Sequence, residues 1–74
     1  MTKNERLWKN ATVFQIGRFY RGQFVGLWNE RTGQWVTDYV DASDYSENSG
    51  RDVVYALHEQ VKTRGYSVRM LPKS

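Results

Sequence analysis

The sequence predicts an α+β fold, in which a small three-stranded antiparallel sheet is followed by one helix and a C-terminal return strand (β-β-β-α-β). Three short segments rich in β-branched and aromatic residues come first, and one apolar stripe with helical spacing follows them. The chain has 74 residues and a mass of 8.7 kDa, which suits one small domain. No linker, repeat or low-complexity tract divides residues 13–74, so we expect them to form a single domain.

The first strand is expected at residues 13–21, where β-branched and aromatic side chains are frequent and Gly22 ends the pattern. Two further strands are expected at residues 23–29 and 34–40. The four residues between them (ERTG) are typical of a type I turn followed by a glycine in the left-handed region. The segment is therefore predicted to be a meander with a hairpin connection.

The helix is expected after a loop at residues 41–50, whose polar composition (DASDYSENSG) is typical of irregular structure. Ser49, followed three residues later by Asp52, resembles a capping box that opens a helix. One apolar stripe with helical spacing is then formed by Val54, Leu57 and Val61. Gly65 is the expected left-handed stop, and alternating apolar residues at 66–70 predict the last strand.

The register of the hairpin decides which side chains share a face, because a one-residue slip exchanges the two faces. A symmetric loop pairs Trp28 with Trp35, turns an aliphatic face toward the helix, and leaves outside an aromatic face of Phe24, Trp28, Trp35 and Tyr39. A bulge at Gly33 pairs Trp28 with Val36 instead, and each face is then mixed. Because a bulge usually accompanies a type I turn, we expect the second register and core packing for most rings. One helix covers only one face, so some aromatic surface should remain accessible.

Charge is unevenly distributed along the chain, although the formal net charge is only +3. Residues 1–35 carry six basic and two acidic side chains, which is a net charge of +4. Residues 36–52 carry one basic and five acidic side chains, a net −4, and residues 53–74 carry four basic and one acidic, a net +3. Such a layout attracts partners of either sign.

Residues 1–12 are polar around Leu7 and Trp8 and show no sustained period, so we expect a flexible or loosely docked arm. This segment has charges but no apolar h-region, and the chain has no cysteine. Both features favour a cytosolic setting over a secreted one. No apolar run approaches the ~20 residues of a membrane span, so no membrane association is expected.

Enzymatic chemistry is not expected, because the side chains that carry it are missing. The chain has no cysteine and a single histidine, His58, so a thiolate nucleophile, a cysteine zinc site and a hydrolytic triad all lack parts. The carboxylates at residues 38–47 do not have the spacing of a calcium loop. We therefore expect no catalytic residue, no bound metal and no cofactor.

About half of the chain resembles small phage proteins that bind host RNA polymerase. The resemblance lies in residues 39–42 (YVDA), the capped helix, residues 65–68 (GYSV) and the late Pro72. The polymerase inhibitor of T-odd coliphages has such a sheet, helix, Gly-aromatic-x-Val strand and proline-containing tail. The basic ends of this chain are more similar to the short transcription regulator of a Xanthomonas phage, which inhibits initiation and lets elongation pass terminators. The resemblance implies a monomeric regulator of transcription that acts in host takeover, in the host cytoplasm, by binding RNA polymerase.

A protein partner of this kind is expected to meet exposed arginine and aromatic side chains. Arginine makes forked hydrogen bonds to carboxylates or phosphates, and Trp and Tyr supply contact area at low entropic cost. In the first strand, Arg18 and Tyr20 are expected on one face and Arg21 on the other. The candidate binding residues for a protein partner are Arg6, Trp8, Arg18, Tyr20 and Arg21.

Nucleic-acid binding through the three-stranded sheet is the alternative. Residues 29–35 (NERTGQW) are similar to the Thr-Gly hairpins of phage integrase arm-binding domains, and plant AP-two-type domains also place such a sheet in the major groove. Contacts to phosphates and bases would then come from Arg18, Arg21, Trp28 and Arg31. Asp38 and Asp41 on the same meander would repel the backbone. Inhibition of another host protein is a further alternative that requires the same kinds of residues.

Overall fold

The computed structural model describes residues 13–73, which build one four-stranded antiparallel sheet with a helix on one face. The expected α+β class and the element order β-β-β-α-β are confirmed. The return strand pairs with the first strand, however, so the sheet has four strands and not three, in the order β3-β2-β1-β4. The elements are β1 (Phe14–Tyr20), β2 (Gln23–Asn29), β3 (Gln34–Val36), α1 (Glu47–Val61) and β4 (Tyr66–Pro72).

A two-residue turn joins β1 to β2. Its residues, Arg21 and Gly22, both have positive φ angles, of 51° and 81°, and Tyr20 pairs with Gln23 across them. Two left-handed residues give a turn whose twist matches that of antiparallel strands, and Asn-Gly is its favoured sequence. The first strand therefore ends at Tyr20 rather than at Arg21. Arg21 is therefore strained, because a residue with a Cβ adopts here a left-handed backbone conformation that favours glycine.

The β2–β3 hairpin has the symmetric register, in which Trp28 pairs with Trp35. The bulged register that we expected is wrong, and Asn29 supplies the reason. Its side-chain Oδ1 accepts a hydrogen bond from the Thr32 backbone N–H at 3.1 Å, and its carbonyl accepts one from the Gly33 N–H at 2.9 Å. These bonds keep all four residues between the strands inside the loop. Gly33 is left-handed as expected, with φ 68°.

The third strand stops four residues earlier than predicted, at Val36. The chain turns at once because the Asp38 side chain accepts a hydrogen bond from the Val40 N–H at 3.0 Å. The following loop folds back on the end of β2, where the Asn29 side-chain amide donates to the Asp41 carbonyl at 2.7 Å. Tyr39 and Val40 are therefore exposed loop residues and not strand residues.

The faces of β2 and β3 are the reverse of those considered for the symmetric register. The indoles of Trp28 and Trp35 pack on the helix side, against a core of Ile16, Tyr45, Leu57 and Val68. The side chain of Leu27 alternates with them and so lies on the opposite face. The helix packs over β4 and β1, so only wide side chains reach the core from β2 and β3.

A β-bulge in β2 separates Phe24 from the two tryptophans. Arg18 of β1 pairs with Gly26, and the next residue, Phe19, pairs with Phe24, so Val25 is the extra residue. The bulge turns the Phe24 ring toward the face that carries Phe19 and no helix. The four aromatic side chains that the symmetric register was considered to place on one face are therefore not together: Trp28 and Trp35 face the helix, Phe24 faces away from it, and Tyr39 lies in the loop after β3.

Helix α1 begins earlier than predicted, because Ser46 is its N-cap. Ser46 Oγ accepts from the Ser49 N–H at 3.3 Å, and the Ser46 N–H donates to Ser49 Oγ at 3.2 Å, which is a capping box. Ser49, the expected cap, is thus its third-position partner. After a 3₁₀ turn, Gly65 ends the helical segment in the left-handed region, with φ 83°, as expected.

Strand β4 forms one edge of the sheet, and α1 protects that edge. The Val68 N–H donates to His58 Nδ1 of the helix at 3.4 Å, and Pro72 has no N–H to offer. Each of these positions removes a free donor from the edge, which makes β4 a poorer template for another strand. The single histidine therefore has a structural role in the fold.

Tyr45 joins the core with a hydroxyl that lies near Glu30, Ser43 and Trp28 but makes no hydrogen bond of good geometry with any residue from 13 to 73. Burial raises the pKa of this phenol above its ordinary value of 10.0, and the Glu30 carboxylate raises it further. Because folding raises this pKa, the neutral phenol is favoured in the folded protein. Its contribution to the free energy of unfolding is fully present below the unfolded-state pKa of 10.0. That contribution is lost as pH rises through the folded-state pKa.

We therefore expect Tyr45→Phe to remove part of the alkaline loss of stability. At neutral pH its free energy of unfolding should be between the wild-type value and about 1 kcal/mol above it. The reason is that the variant no longer buries a hydroxyl without a good hydrogen bond. Urea unfolding followed by tryptophan fluorescence, from pH 8 to pH 11, measures both effects. Tyr55→Phe is the control, since Tyr55 is 72% exposed. A Tyr45→Phe protein that loses stability above pH 10 as steeply as the wild type contradicts the assignment.

Candidate functional site

The two ends of the sheet carry opposite charge. The acidic end is the loop after β3, with Asp38, Asp41 and Asp44, held to the sheet by the buried Gln15 side chain. Its amide donates to the Tyr39 carbonyl at 2.8 Å and to Asp44 Oδ1 at 3.2 Å. Asp38, which was expected in the third strand, lies in this loop instead because β3 ends at Val36, and Asp41 lies in the loop as expected. The other end, at the β1–β2 turn, we call the basic pole; it comprises Arg18, Tyr20, Arg21, Trp35 and Tyr66.

Arg18 is the centre of the basic pole. Its guanidinium carbon lies 4.9 Å from the ring centroid of Trp35 and 4.6 Å from that of Tyr66, which is cation–π distance. The register explains the approach of Trp35, since the residue opposite Arg18 on β2 is Gly26, which has no side chain. A Cβ at Gly26 would lie 3.3 Å from Trp35 Cβ. The arginine is half-buried, and its Nε has no hydrogen-bond partner within residues 13–73.

Tyr20 and Arg21 extend the same stack toward the turn. The rings of Tyr20 and Tyr66, which pair across β1 and β4, lie 5.1 Å apart between centroids. The guanidinium carbon of Arg21 lies 5.4 Å from the Tyr20 centroid. Arg21 therefore shares the side of Tyr20, contrary to the alternation that we expected, because its left-handed backbone takes it out of the strand. Three predicted binding residues, Arg18, Tyr20 and Arg21, thus come together.

A second stack lies on the sheet face without a helix. Phe19 and Phe24 meet edge to face at a centroid distance of 5.8 Å, and the Arg69 guanidinium carbon lies 4.6 Å from the Phe19 centroid. Phe24 is 47% exposed. The predictions missed Arg69, although its alternation with apolar residues along β4 already indicated the face away from the core. They missed Phe19 because its partner Phe24 reaches this face only through the bulge.

The remaining predicted residues are not part of the basic pole. Trp28 packs on the core, and its ring lies 5.1 Å from that of Trp35, so it supports the pole from behind. Arg31 lies in the β2–β3 turn, at the opposite end of β2 from Gly22. Arg6 and Trp8 belong to residues 1–12, so the expected arm lies outside the described part of the chain.

The arginines of the two stacks have no carboxylate partner among residues 13–73. The ion pairs found there join Glu47 to Arg51, Glu59 to Lys62, and Asp44 to Lys73. Arg18, Arg21 and Arg69 are instead held by aromatic rings. A guanidinium over a ring still presents its N–H groups at its edge, where a carboxylate or a phosphate can accept them. The site is therefore suited to binding anionic groups.

Within residues 13–73, no three His, Asp or Glu side chains lie close enough together to hold a metal ion. No helix in the same range is long and apolar enough to cross a membrane. Comparisons of the chain with protein-family models, with curated proteins and with solved structures found no match.

Proposed function

We propose that this chain is a non-enzymatic phage protein that binds host RNA polymerase and regulates transcription in the host cytoplasm. Regulation takes the form of inhibited initiation, antitermination, or both, and the protein acts as a monomer. The identity of the partner rests on the resemblance of residues 39–42 and 65–68 to small polymerase-binding phage proteins. The observation that carries the binding mode is the basic pole, where arginines without carboxylate partners are held on aromatic rings.

The composition of the basic pole supports a protein partner. Arginine, tyrosine and tryptophan are the residues that dominate binding energy at protein interfaces. Here they are ordered before binding, because each ring lies on a paired strand and each guanidinium lies on a ring. Ordered side chains lose less conformational entropy when a partner docks. An acidic surface of the polymerase would supply the missing carboxylates.

The same geometry disfavours recognition of single-stranded nucleic acid by base stacking. Such recognition needs free aromatic faces on which bases can lie. In the basic pole, however, guanidinium groups lie over the rings of Trp35, Tyr66 and Tyr20. The arginines would have to leave the rings before a base could stack.

Binding to the phosphate backbone of a duplex is the second candidate function. One observation favours it: the acidic loop lies at the far end of the sheet, held by Gln15 and Asn29, so it does not oppose a backbone at the basic pole. This mode predicts an affinity that falls steeply with salt, because each phosphate contact releases counterions. Filter binding of duplex DNA at two salt concentrations tests it. No salt-dependent binding at micromolar protein removes this candidate.

Arg21→Glu tests the proposed function at a position that is exposed. We expect it to weaken capture of purified host RNA polymerase by about tenfold or more, since it places a carboxylate where the partner is acidic. Arg51→Glu is the matched control: it makes the same charge change on the exposed side of α1, where Arg51 pairs with Glu47. Failure of the wild-type protein to bind polymerase, or equal loss with both variants, contradicts the proposal.

Arg21→Asn separates the role of this residue in binding from its role in folding. Asparagine tolerates the left-handed conformation better than arginine, so we expect the free energy of unfolding to rise by about 1 kcal/mol. Polymerase binding should nevertheless fall, because the guanidinium is gone. Urea unfolding and the same capture assay measure the two effects. If the Arg21→Asn protein binds polymerase as tightly as the wild type, the Arg21 side chain has no role in recognition.

A further inference from the structure

We propose that Arg18, with the rings of Trp35 and Tyr66, is a receptor for a single carboxylate group. The group would be an Asp or Glu side chain of the protein that the basic pole meets, so the inference rests on the proposed function in taking a protein as the partner. We call these three residues the Arg18 receptor. Its evidence is the position of the guanidinium between two rings and the lack of an acceptor for its donors among residues 13–73.

The receptor is built on an interior strand of the sheet. Arg18 lies on β1, which is paired on both sides, with Gly26 on β2 and with Val68 on β4. Trp35 approaches from the β3 side and Tyr66 from the β4 side, and both ring centroids lie within 5 Å of the guanidinium carbon. A guanidinium held in this way is already ordered for a ligand.

The hydrogen-bond donors of Arg18 have no acceptor among residues 13–73. Its Nε is buried without a partner in the described part of the chain. No carboxylate of residues 13–73 lies within ion-pair distance of its two Nη groups. A partly buried cation without an acceptor is unfavourable. A carboxylate that arrives with the partner would relieve this loss.

The two apolar rings beside the Arg18 guanidinium favour a carboxylate over a phosphate as its ligand. The two rings lie over the guanidinium and its Nε is buried, so an approaching group would meet the Nη groups. A carboxylate is planar and accepts two parallel N–H bonds from such a fork. A phosphate is tetrahedral, and its remaining oxygens would press against the apolar rings. The methylene groups of a glutamate, in contrast, would pack on them.

Nuclear magnetic resonance tests the receptor without knowledge of the partner. In the wild-type protein labelled with ¹⁵N, the Nε–H signal of Arg18 is identified by its absence from Arg18→Lys. We expect this signal to move along a saturable curve when acetate or a short polyglutamate peptide is added at constant ionic strength. Phosphate should cause a smaller shift, and the Arg51 signal should not saturate. No saturable response, a stronger response to phosphate, or the same response at Arg51 overturns the proposal.

A variant of the ring wall and a binding assay complete the test. Tyr66→Leu keeps the charge of Arg18 but removes one ring, so we expect a weaker response to acetate. Arg18→Lys keeps the charge but loses the fork, so polymerase binding should weaken by about tenfold, whereas Arg51→Lys should leave it unchanged. If the wild-type protein binds polymerase but its Arg18 signal does not respond to acetate, the Arg18 receptor is wrong and the proposed function still stands. If the Arg18 signal responds to acetate but the wild-type protein does not bind polymerase, the proposed partner is wrong and the Arg18 receptor still stands.

Discussion

Replacement of Ile16 by alanine is expected to remove about 2–5 kcal/mol from the free energy of unfolding. Ile16 is 0% exposed and lies on the central strand, where it meets the core residues Leu57 and Val68 beneath the helix. A chain of this size has a total stability of about 4–11 kcal/mol. One side chain therefore accounts for a large fraction of the total, because a small domain has few core residues among which to share the loss.

Urea unfolding followed by the fluorescence of the core-packed tryptophans measures this effect. Tyr55→Ala is the matched control, because Tyr55 lies on the outer side of α1 and is 72% exposed. Its stability should change by no more than about 0.5 kcal/mol. Equal losses in the two variants would show that the helix does not pack on the sheet as described.

Gly26→Val is expected to have the second largest effect, because it damages the fold and the basic pole together. A Cβ at Gly26 would lie 3.3 Å from Trp35 Cβ and 3.4 Å from the Val36 carbonyl oxygen. Backbone atoms on a paired strand cannot easily move away, so added methyl groups should lower the free energy of unfolding by about 1–3 kcal/mol. They should also push Trp35 away from Arg18.

Two measurements follow this change. Urea unfolding gives the loss of stability, and the chemical shift of the Arg18 Nε–H signal reports the nearby rings. Gly26→Ala should show the same changes in smaller degree. Gly17→Ala, on the neighbouring strand β1, is the control for the Arg18 signal. A Cβ at Gly17 would meet the flexible Leu71 side chain at 2.7 Å on the other face of the sheet, so the Arg18 signal should stay in place. If valine at 26 leaves the Arg18 signal in place, Gly26 does not determine the approach of Trp35.

Local patterns predicted most of the elements. Glycines at 22, 33 and 65 marked two turns and a helix end, and all three are left-handed in the structure. The alternation of apolar residues in the last strand and the helical stripe around Leu57 also led to the correct elements. These signals depend on residues that are close in sequence. Helix α1 nevertheless starts earlier than predicted, because Ser46 and Ser49 form a capping box without an acidic member.

The candidate site was predicted only in part. Arg18, Tyr20 and Arg21 were recognised as an arginine-rich aromatic segment, and the structure brings them together. Their aromatic partners, Trp35 and Tyr66, come from two other strands. No spacing within the chain shows that these two rings lie beside the same arginine.

The sequence by itself determined the α+β class, the order of the elements and the separation of charge along the chain, because each follows from local composition and period. Only the tertiary structure decided the hairpin register, which the hydrogen bonds of Asn29 select. Only it decided which face carries the helix, since the two tryptophans and not the aliphatic side chains reach the core. The register depends on side-chain hydrogen bonds within the hairpin, and the choice of face depends on how β1 and β4, which are distant in sequence, pair and pack against the helix. Strand pairing also places Arg18 between Trp35 and Tyr66, and so creates the surface that we propose for binding.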